Sequence, residues 1–208
     1  MVTEIELKAH VENSEALKIL LEEKAEYLYA FEKEDDYFFL DGAQGQFPSG
    51  VRVRSEKRTF SDGTEKTAAF VTYKTKEVRD GIEINHEREF EINSPSCCAS
   101  MEFKEFLIKA GFKPGISKKK NGWAFFNEGL TAELAEVEKL GWFLELEILT
   151  GEADAGHLNA AGCSGGNKTE ENFLEKKGRL LGFLDSLGLK KESIESRFYS
   201  QMLSDFAS

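Results

Sequence analysis

Glu4-Ile5-Glu6-Leu7-Lys8, close to the start of the chain, is the stretch on which the fold turns. Successive side chains of an extended strand point to opposite faces. Glu4, Glu6 and Lys8 therefore share one face, and Ile5 and Leu7 share the other. At roughly 3.3 Å of rise per residue, the two carboxylates stand about 7 Å apart with an ammonium beside them. That is half of a site for a hard cation and a phosphate. Alone, the alternation also suits a half-exposed antiparallel strand with its charges in water. Its recurrence along the chain is what carries weight.

Arg52 and Arg54 share a face in Val51-Arg52-Val53-Arg54. Lys74 pairs with Lys76 in the same way, Glu87 with Glu89 and Glu91, Lys118 with Lys120, and Glu145 with Glu147. The positions between them are largely apolar: Val51, Val53, Phe90, Leu144, Leu146 and Ile148. A solvated sheet face would mix Thr, Ser and Gln among its charges. Here each strand offers almost only Glu, Lys or Arg, mostly of one sign. A closed or nearly closed barrel with charges inside and helices on its apolar outside fits this pattern and leaves no exposed edge. A sandwich with a charged outer face is the alternative.

Charges packed inside must neutralise one another or a ligand. Paired Glu side chains suit Mg²⁺ or Mn²⁺, which take oxygen ligands. Arg and Lys suit phosphate oxygens, Arg two at a time. A site offering both is built for a metal-bound polyphosphate.

The remaining segments supply the frame. Asn13 and Ser14 can cap a helix over Glu15–Lys24. Strands are expected over Tyr27–Leu40, Val51–Glu56, Ala68–Lys76 and Ile82–Ile92, divided by turns at Gly42, Gly45, Gly50, Gly63 and Gly81. A second helix opens at Ser94-Pro95-Ser96, runs through Phe103, Phe106 and Leu107, and stops at Gly111. Three more strands follow, Ile116–Asn127, Thr131–Val137 and Gly141–Leu149. The expected class is therefore α+β, an eight-stranded antiparallel barrel with helices outside. Residues 1–208 are read as one domain, with strands and two helices over 1–150, a Gly-rich flexible loop over 151–168 and a helical tail over 169–208. The tail is expected as helices Glu170–Leu187 and Glu192–Phe206 broken at Gly188. Leu174, Leu181, Phe183, Leu184 and Leu187 would be its docking stripe.

Composition narrows the function. The formal charge of −11 argues against nucleic acid or an anionic membrane as partner, even with Lys118-Lys119-Lys120 present, but allows a small anion where basic groups concentrate. Cys97, Cys98 and Cys163 form no disulfide framework or zinc spacing. No apolar run is long enough to span a bilayer, and a cytoplasmic location is expected. His10, His86 and His157 are read as surface residues, Trp123 and Trp142 as core or rim, and Tyr199 as a packing anchor for the tail.

Glu4-x-Glu6-x-Lys8 resembles the ExExK signature of the CYTH superfamily. These are the triphosphate tunnel metalloenzymes: class IV adenylate cyclases, thiamine triphosphatases and inorganic triphosphatases. The likeness continues in order through Asp35-Asp36-Tyr37-Phe38, Val51-Arg52-Val53-Arg54, Thr72-Tyr73-Lys74, Glu89-Phe90-Glu91, Lys118-Lys119-Lys120-Asn121-Gly122-Trp123 and Leu140 to Glu147. The tail, Leu187-Gly188-Leu189 and then Arg197 to Leu203, is similar to that of class IV cyclase-like members.

The resemblance implies a tunnel binding a triphosphate (ATP, thiamine triphosphate or tripolyphosphate) with Mg²⁺ or Mn²⁺. Glu4, Glu6, Glu145 and Glu147 would hold the metal, helped by Glu89 and Glu91. Lys8, Arg52, Arg54, Lys74, Lys118 and Lys120 would bind phosphate. Tyr37, paired with Lys8, would be the candidate base. The implied activity is class IV adenylate cyclase-like, ATP to cyclic AMP and pyrophosphate. A thiamine or inorganic triphosphatase and a non-catalytic polyphosphate or nucleotide binder are the alternatives. Whether the chain forms a homodimer stays open. Ala135, Glu87 and Lys120 stand where the family more often has Asp, Arg and Arg.

Overall fold

A computed structural model describes residues 2–40, 50–92, 99–150 and 166–206. The expected turns at Gly42 and Gly45, the Ser94-Pro95-Ser96 helix start, the three cysteines, His157 and the 151–165 part of the Gly-rich loop lie outside them. The strands are β1 Val2–His10, β2 Glu26–Phe39, β3 Gly50–Thr59, β4 Glu65–Arg79, β5 Ile82–Glu91, β6 Lys113–Asn127, β7 Leu130–Val137 and β8 Gly141–Thr150. The helices are α1 Ser14–Lys24, α2 Ala99–Lys109, α3 Gly166–Ser186 and α4 Tyr199–Asp205.

All eight strands close into one antiparallel barrel in the order β1-β5-β4-β3-β2-β6-β7-β8. β2 to β5 pair in chain order as an antiparallel meander. β1 completes the circle by pairing with β5 on one side and β8 on the other. The strand pairs extend beyond the apolar segments, β4 reaching from Glu65 to Arg79, because an antiparallel partner continues to satisfy backbone groups at the hairpin ends.

The hydrocarbon core lies outside this barrel. Ile5 and Leu7 of β1, Leu134 of β7 and Leu144, Leu146 and Ile148 of β8 are buried against Leu17 and Leu21 of α1 and the inner face of α3. Asn13 caps α1 by accepting from the Ala16 amide at 3.0 Å. α2 covers a second patch, where Leu107 meets Phe38 and Val53. Trp123 and Trp142 stack with ring centroids 5.6 Å apart and pack against the larger core.

Two expectations for the tail need correction. Leu181, Phe183, Leu184 and Leu187 pack on the core as expected and are joined by Phe173 and Leu180, whereas Leu174 is 52% exposed. The buried members Phe173, Leu180, Leu184 and Leu187 follow spacings of seven, four and three, so the stripe lies one residue out of phase with Leu174. Nor is Glu192–Phe206 one helix. Gly188, at φ +74°, ends the preceding segment, and a single 3₁₀ turn spans Lys191–Ser193. The chain then runs extended to Phe198, and only Tyr199–Asp205 is α-helical. Tertiary hydrogen bonds override local propensity there. Ile194 bridges Ala9 at the end of β1, the Glu195 amide donates to the Lys8 carbonyl at 2.8 Å, and the Glu195 carboxylate takes His10 at 3.1 Å and Arg197 at 2.7 Å.

The phase of α3 is directly testable by urea unfolding. Leu180→Ala is expected to cost about 2–5 kcal/mol, the usual range for a fully buried Leu. Leu174→Ala should stay within about 0.5 kcal/mol.

Candidate active site

The closed sheet turns the charged parity of every strand inward. On β1, Glu6 stands directly across from Glu83 of β5 on one side and Glu147 of β8 on the other. Lys8 is opposite Glu145. Asp35 of β2 is opposite Arg54 of β3 and Lys118 of β6, and Tyr37 is opposite Arg52. Lys74 of β4 faces Glu87 of β5, and Thr72 faces Glu89. The resulting cavity, with about 650 Å³ of empty space, is lined almost entirely by ionisable groups.

Most cations have a carboxylate partner. Arg54 grips Asp35 through two bonds of 2.6 and 3.0 Å, and Lys118 adds a third contact at 3.2 Å. Arg52 donates to Glu89 at 3.1 Å and to Thr72 at 2.9 Å. Lys74 contacts Glu4 at 2.9 Å and also pairs with Glu87. Lys76 reaches Glu83 at 3.2 Å. Lys120 bonds Glu133 at 3.1 Å and pairs with Glu145, while Lys33 pairs with Glu133. Asp35 is 0% exposed. Burial alone would raise its pKa, but Arg54, Lys118 and Arg52 hold it well below the ordinary value.

Beside β1 the balance reverses. Burial, together with the Glu83 and Glu145 charges, pushes Glu6 up to about 7. Glu147 is raised well above the carboxylate range by burial and by Glu4 and Glu6, and burial raises Glu4 as well. Carboxylates facing one another across strand pairs repel, which favours their protonated forms.

Not every expected site residue reaches the cavity. Glu4, Glu6, Glu89, Glu145, Glu147, Arg52, Arg54, Lys74, Lys118, Lys120 and Tyr37 line it. Glu91 does not: it lies one pairing beyond the charged zone, opposite Phe70, and is exposed. Lys8 is also absent from the lining. It is 1% exposed, bonded to Glu83 at 2.7 Å, with its ammonium 4.7 Å from the centre of the Tyr199 ring. The described contacts of Lys8 do not include Tyr37. The Tyr37 phenol is nevertheless shifted downward, since Lys118, Arg52 and Lys76 outweigh burial.

Lys33, Glu83, Glu133 and Tyr199 are lining residues that the sequence reading did not assign to the site. Lys33 and Glu83 continue the inward parity of Asp35 and Asn85, a signal that was present. Two residues before Ala135, Glu133 pairs with Lys33 and Lys120. Tyr199 carried no such signal, because a tail residue enters the barrel by tertiary packing. Expected as a packing anchor, it is 8% exposed inside the tunnel, with Lys8, Lys118 and Lys120 ammonium groups 4.7, 4.8 and 5.9 Å from its ring centre.

The two ends of the tunnel differ. Beyond Lys33 and Lys120 an apolar cluster of Phe31, Ala124 and Ala135 caps the charged zone, with Tyr29 packed against it. Lys33 sits 4.3 Å from the Phe31 ring centre. At the other end Tyr37, Phe39, Ile116, Phe198 and Tyr199 form a largely apolar mouth.

The CYTH domain pattern matches residues 3–199. The chain belongs to the CYTH family. Among solved structures, this CYTH protein is similar to the PH1012 protein of Pyrococcus horikoshii, at 28% identity and TM-score 0.67, covering 95% of this chain and 98% of that one. A candidate adenylate cyclase from Vibrio parahaemolyticus matches at 19% identity and TM-score 0.70, with 97% of each chain covered. A candidate adenylyl cyclase from Hippeastrum, HpAC1, described as having a dominant triphosphatase activity, matches at 18% and 0.59, covering 100% of this chain and 96% of that one. At these last two identities the likeness is one of fold. No curated protein matches the sequence significantly. No helix among the described residues is long and apolar enough to cross a membrane.

The Glu6 shift sets a pH dependence. A carboxyl with a raised folded-state pKa lends stability that is fully present below its unfolded value near 4.5 and lost as pH rises through about 7. Metal-free wild-type protein should therefore lose up to about 3 kcal/mol between pH 4.5 and 8 through this group. Glu6→Gln should flatten that slope in thermal melts, and an unchanged slope would show the proton to be elsewhere.

Proposed function

We propose that the protein is a divalent-metal-dependent enzyme acting on a triphosphate, a class IV adenylate cyclase-like enzyme that converts ATP to cyclic AMP and pyrophosphate. The observation that carries this reading is the convergence of Arg52, Arg54, Lys74, Lys118 and Lys120 in one closed tunnel that also holds an acidic wall. Membership of the CYTH family supports an enzyme that acts on a triphosphate.

The acidic wall suits a hard cation. Glu4, Glu6 and Glu147 are oxygen donors on adjacent strands, and their raised pKa values mark a surplus of negative charge that Mg²⁺ or Mn²⁺ would neutralise. Among the described residues no three such groups already converge on one point, so binding would draw them together. Glu145 and Glu89 are engaged with Lys120 and Arg52 and would serve as outer supports. When bound, the metal supplies Lewis-acid neutralisation of phosphate charge.

The chain's own groups do the positioning. Arg52, Lys74 and Lys118 lie where tunnel and mouth meet and would hold the inner phosphates, with charge-assisted hydrogen bonds replacing those to their present carboxylate partners. Arg54 and Lys120 lie deeper and would hold the terminal phosphate, with Lys33 behind them. Lys8 would act from beneath, fixing Glu83 and the Tyr199 ring. Tyr37 lines both mouth and tunnel, and its lowered pKa suits a base that takes the proton of a ribose hydroxyl attacking the α-phosphate, with pyrophosphate leaving inward.

A triphosphatase is the second reading, favoured by the ionised Glu133 and Glu145 at the capped inner end, where they could orient water toward a terminal phosphate. Product analysis decides. Incubation with ATP, tripolyphosphate and thiamine triphosphate in Mg²⁺ and Mn²⁺ is expected to give cyclic AMP and pyrophosphate from ATP, whereas orthophosphate alone selects the hydrolase. Glu4→Ala, or Glu145→Ala with Glu147→Ala, should abolish turnover while leaving a folded barrel, and wild-type rates in either would refute the metal assignment. Arg52→Ala should raise KM about tenfold or more, with a smaller effect on kcat.

A further inference from the structure

The inward row of β5 reads Glu83, Asn85, Glu87 and Glu89, every second residue of the strand. Its carboxylates are all bonded to cations: Glu83 to Lys8 and Lys76, Glu87 to Lys74, and Glu89 to Arg52. Asn85 is the neutral exception. It stands across from Glu4 of β1 and from Lys76 of β4, is 0% exposed, and lines neither the tunnel nor its mouth.

The Asn85 amide nitrogen, Nδ2, donates to Glu6 Oε2 at 3.2 Å. Among the described residues no other hydrogen bond reaches the Glu6 carboxylate, so its second oxygen, Oε1, stays free. The chemistry of this donor matters. A lysine or arginine here would neutralise Glu6 and compete with any metal for it, as Lys120 does for Glu145. A further carboxylate would add repulsion beside Glu4 and Glu6. An amide fixes the direction of Glu6 and leaves its charge uncompensated. Asn85 Oδ1 is itself buried with no hydrogen-bond partner, and buried acceptors are rarely left so. Mg²⁺ keeps several of its waters when carboxylates bind it, and a hydrated ion drawn to Glu6 would bring the donor that Oδ1 lacks.

We infer that Asn85 is a positioning residue for the metal: it holds Glu6 by one oxygen and leaves the other to the cation, without itself touching substrate. This rests on the metal-dependent reading above and deepens it. Outer partners that orient a ligand in this way are worth about 10–100-fold in metal affinity. A merely space-filling Asn85 would behave differently. Glu83 and Glu87 flank it on the same strand and carry the lysines of the phosphate zone, so a packing defect at Asn85 would disturb anion binding as much as metal binding.

The test measures two affinities without turnover: Mn²⁺ alone, from the electron paramagnetic resonance signal of the free ion, and tripolyphosphate in EDTA, by titration calorimetry. Asn85→Leu roughly keeps the volume and removes the donor. It should weaken Mn²⁺ about tenfold or more and leave tripolyphosphate within about twofold, with cooperative thermal unfolding retained. Asn85→Ala, which removes the donor without a bulky replacement, should act in the same direction. Mn²⁺ binding within about twofold of wild type in both variants would overturn the assignment. So would equal weakening of Mn²⁺ and tripolyphosphate, or failure of both variants to fold, since Asn85 would then only be supporting the barrel. Wild-type protein that binds no Mn²⁺ at millimolar concentration would instead overturn the metal reading itself.

Discussion

Asp35, fully buried and held by Arg54 and Lys118 from the strands on either side, represents the interaction on which the barrel depends. The interior of this protein is filled by paired charges, with hydrocarbon at its ends. A lone ion there would be costly, while an ion with a partner and satisfied hydrogen bonds is tolerable. The barrel is consequently a set of interlocked pairs: Lys8 with Glu83, Lys74 with Glu4 and Glu87, Lys120 with Glu133 and Glu145. Truncating one partner strands the other. That explains why so many strands keep the same alternation of charge.

Such an interior contributes little net stability, so cohesion has to come from elsewhere. It comes from the outer surface of the sheet, where α1, α2 and α3 bury the apolar parity of the strands. The arrangement separates two tasks. The outside holds the fold, and the inside is free to carry an uneven charge distribution. That unevenness has a direction: cations predominate at the mouth, while the acidic surplus gathers around Glu6, flanked by Glu83 and Glu147. Under the proposed reading, a polyanion entering from the mouth would meet positive charge first and come to rest beside carboxylates short of a counter-ion.

The tail links the two parts. Its extended segment clips onto the end of β1 through Ile194 and Glu195, and this delivers Phe198 and Tyr199 to the tunnel. The Tyr199 ring then lies among three lysine ammonium groups, where its negative π face offsets part of their repulsion.

The alternation in Glu4-Ile5-Glu6-Leu7-Lys8 and its repeats was enough to mark strands and to turn their charges to one side, because a period of two is a local property of an extended chain. Closure of the sheet was an expectation that the folded structure settled. The same parity named most of the residues that line the tunnel. It could not show that Glu91 falls outside, that Lys8 lies beneath the cavity on Glu83, or that Glu133 pairs with both Lys33 and Lys120. Those outcomes depend on register between strands, which no single segment encodes. The phase of α3 and the break after Gly188 were likewise settled by surfaces distant in sequence. Sequence alone determined which residue types would face inward. Only the folded barrel decided which of them meet, since pairing across a closed sheet is fixed by how all eight strands are staggered together.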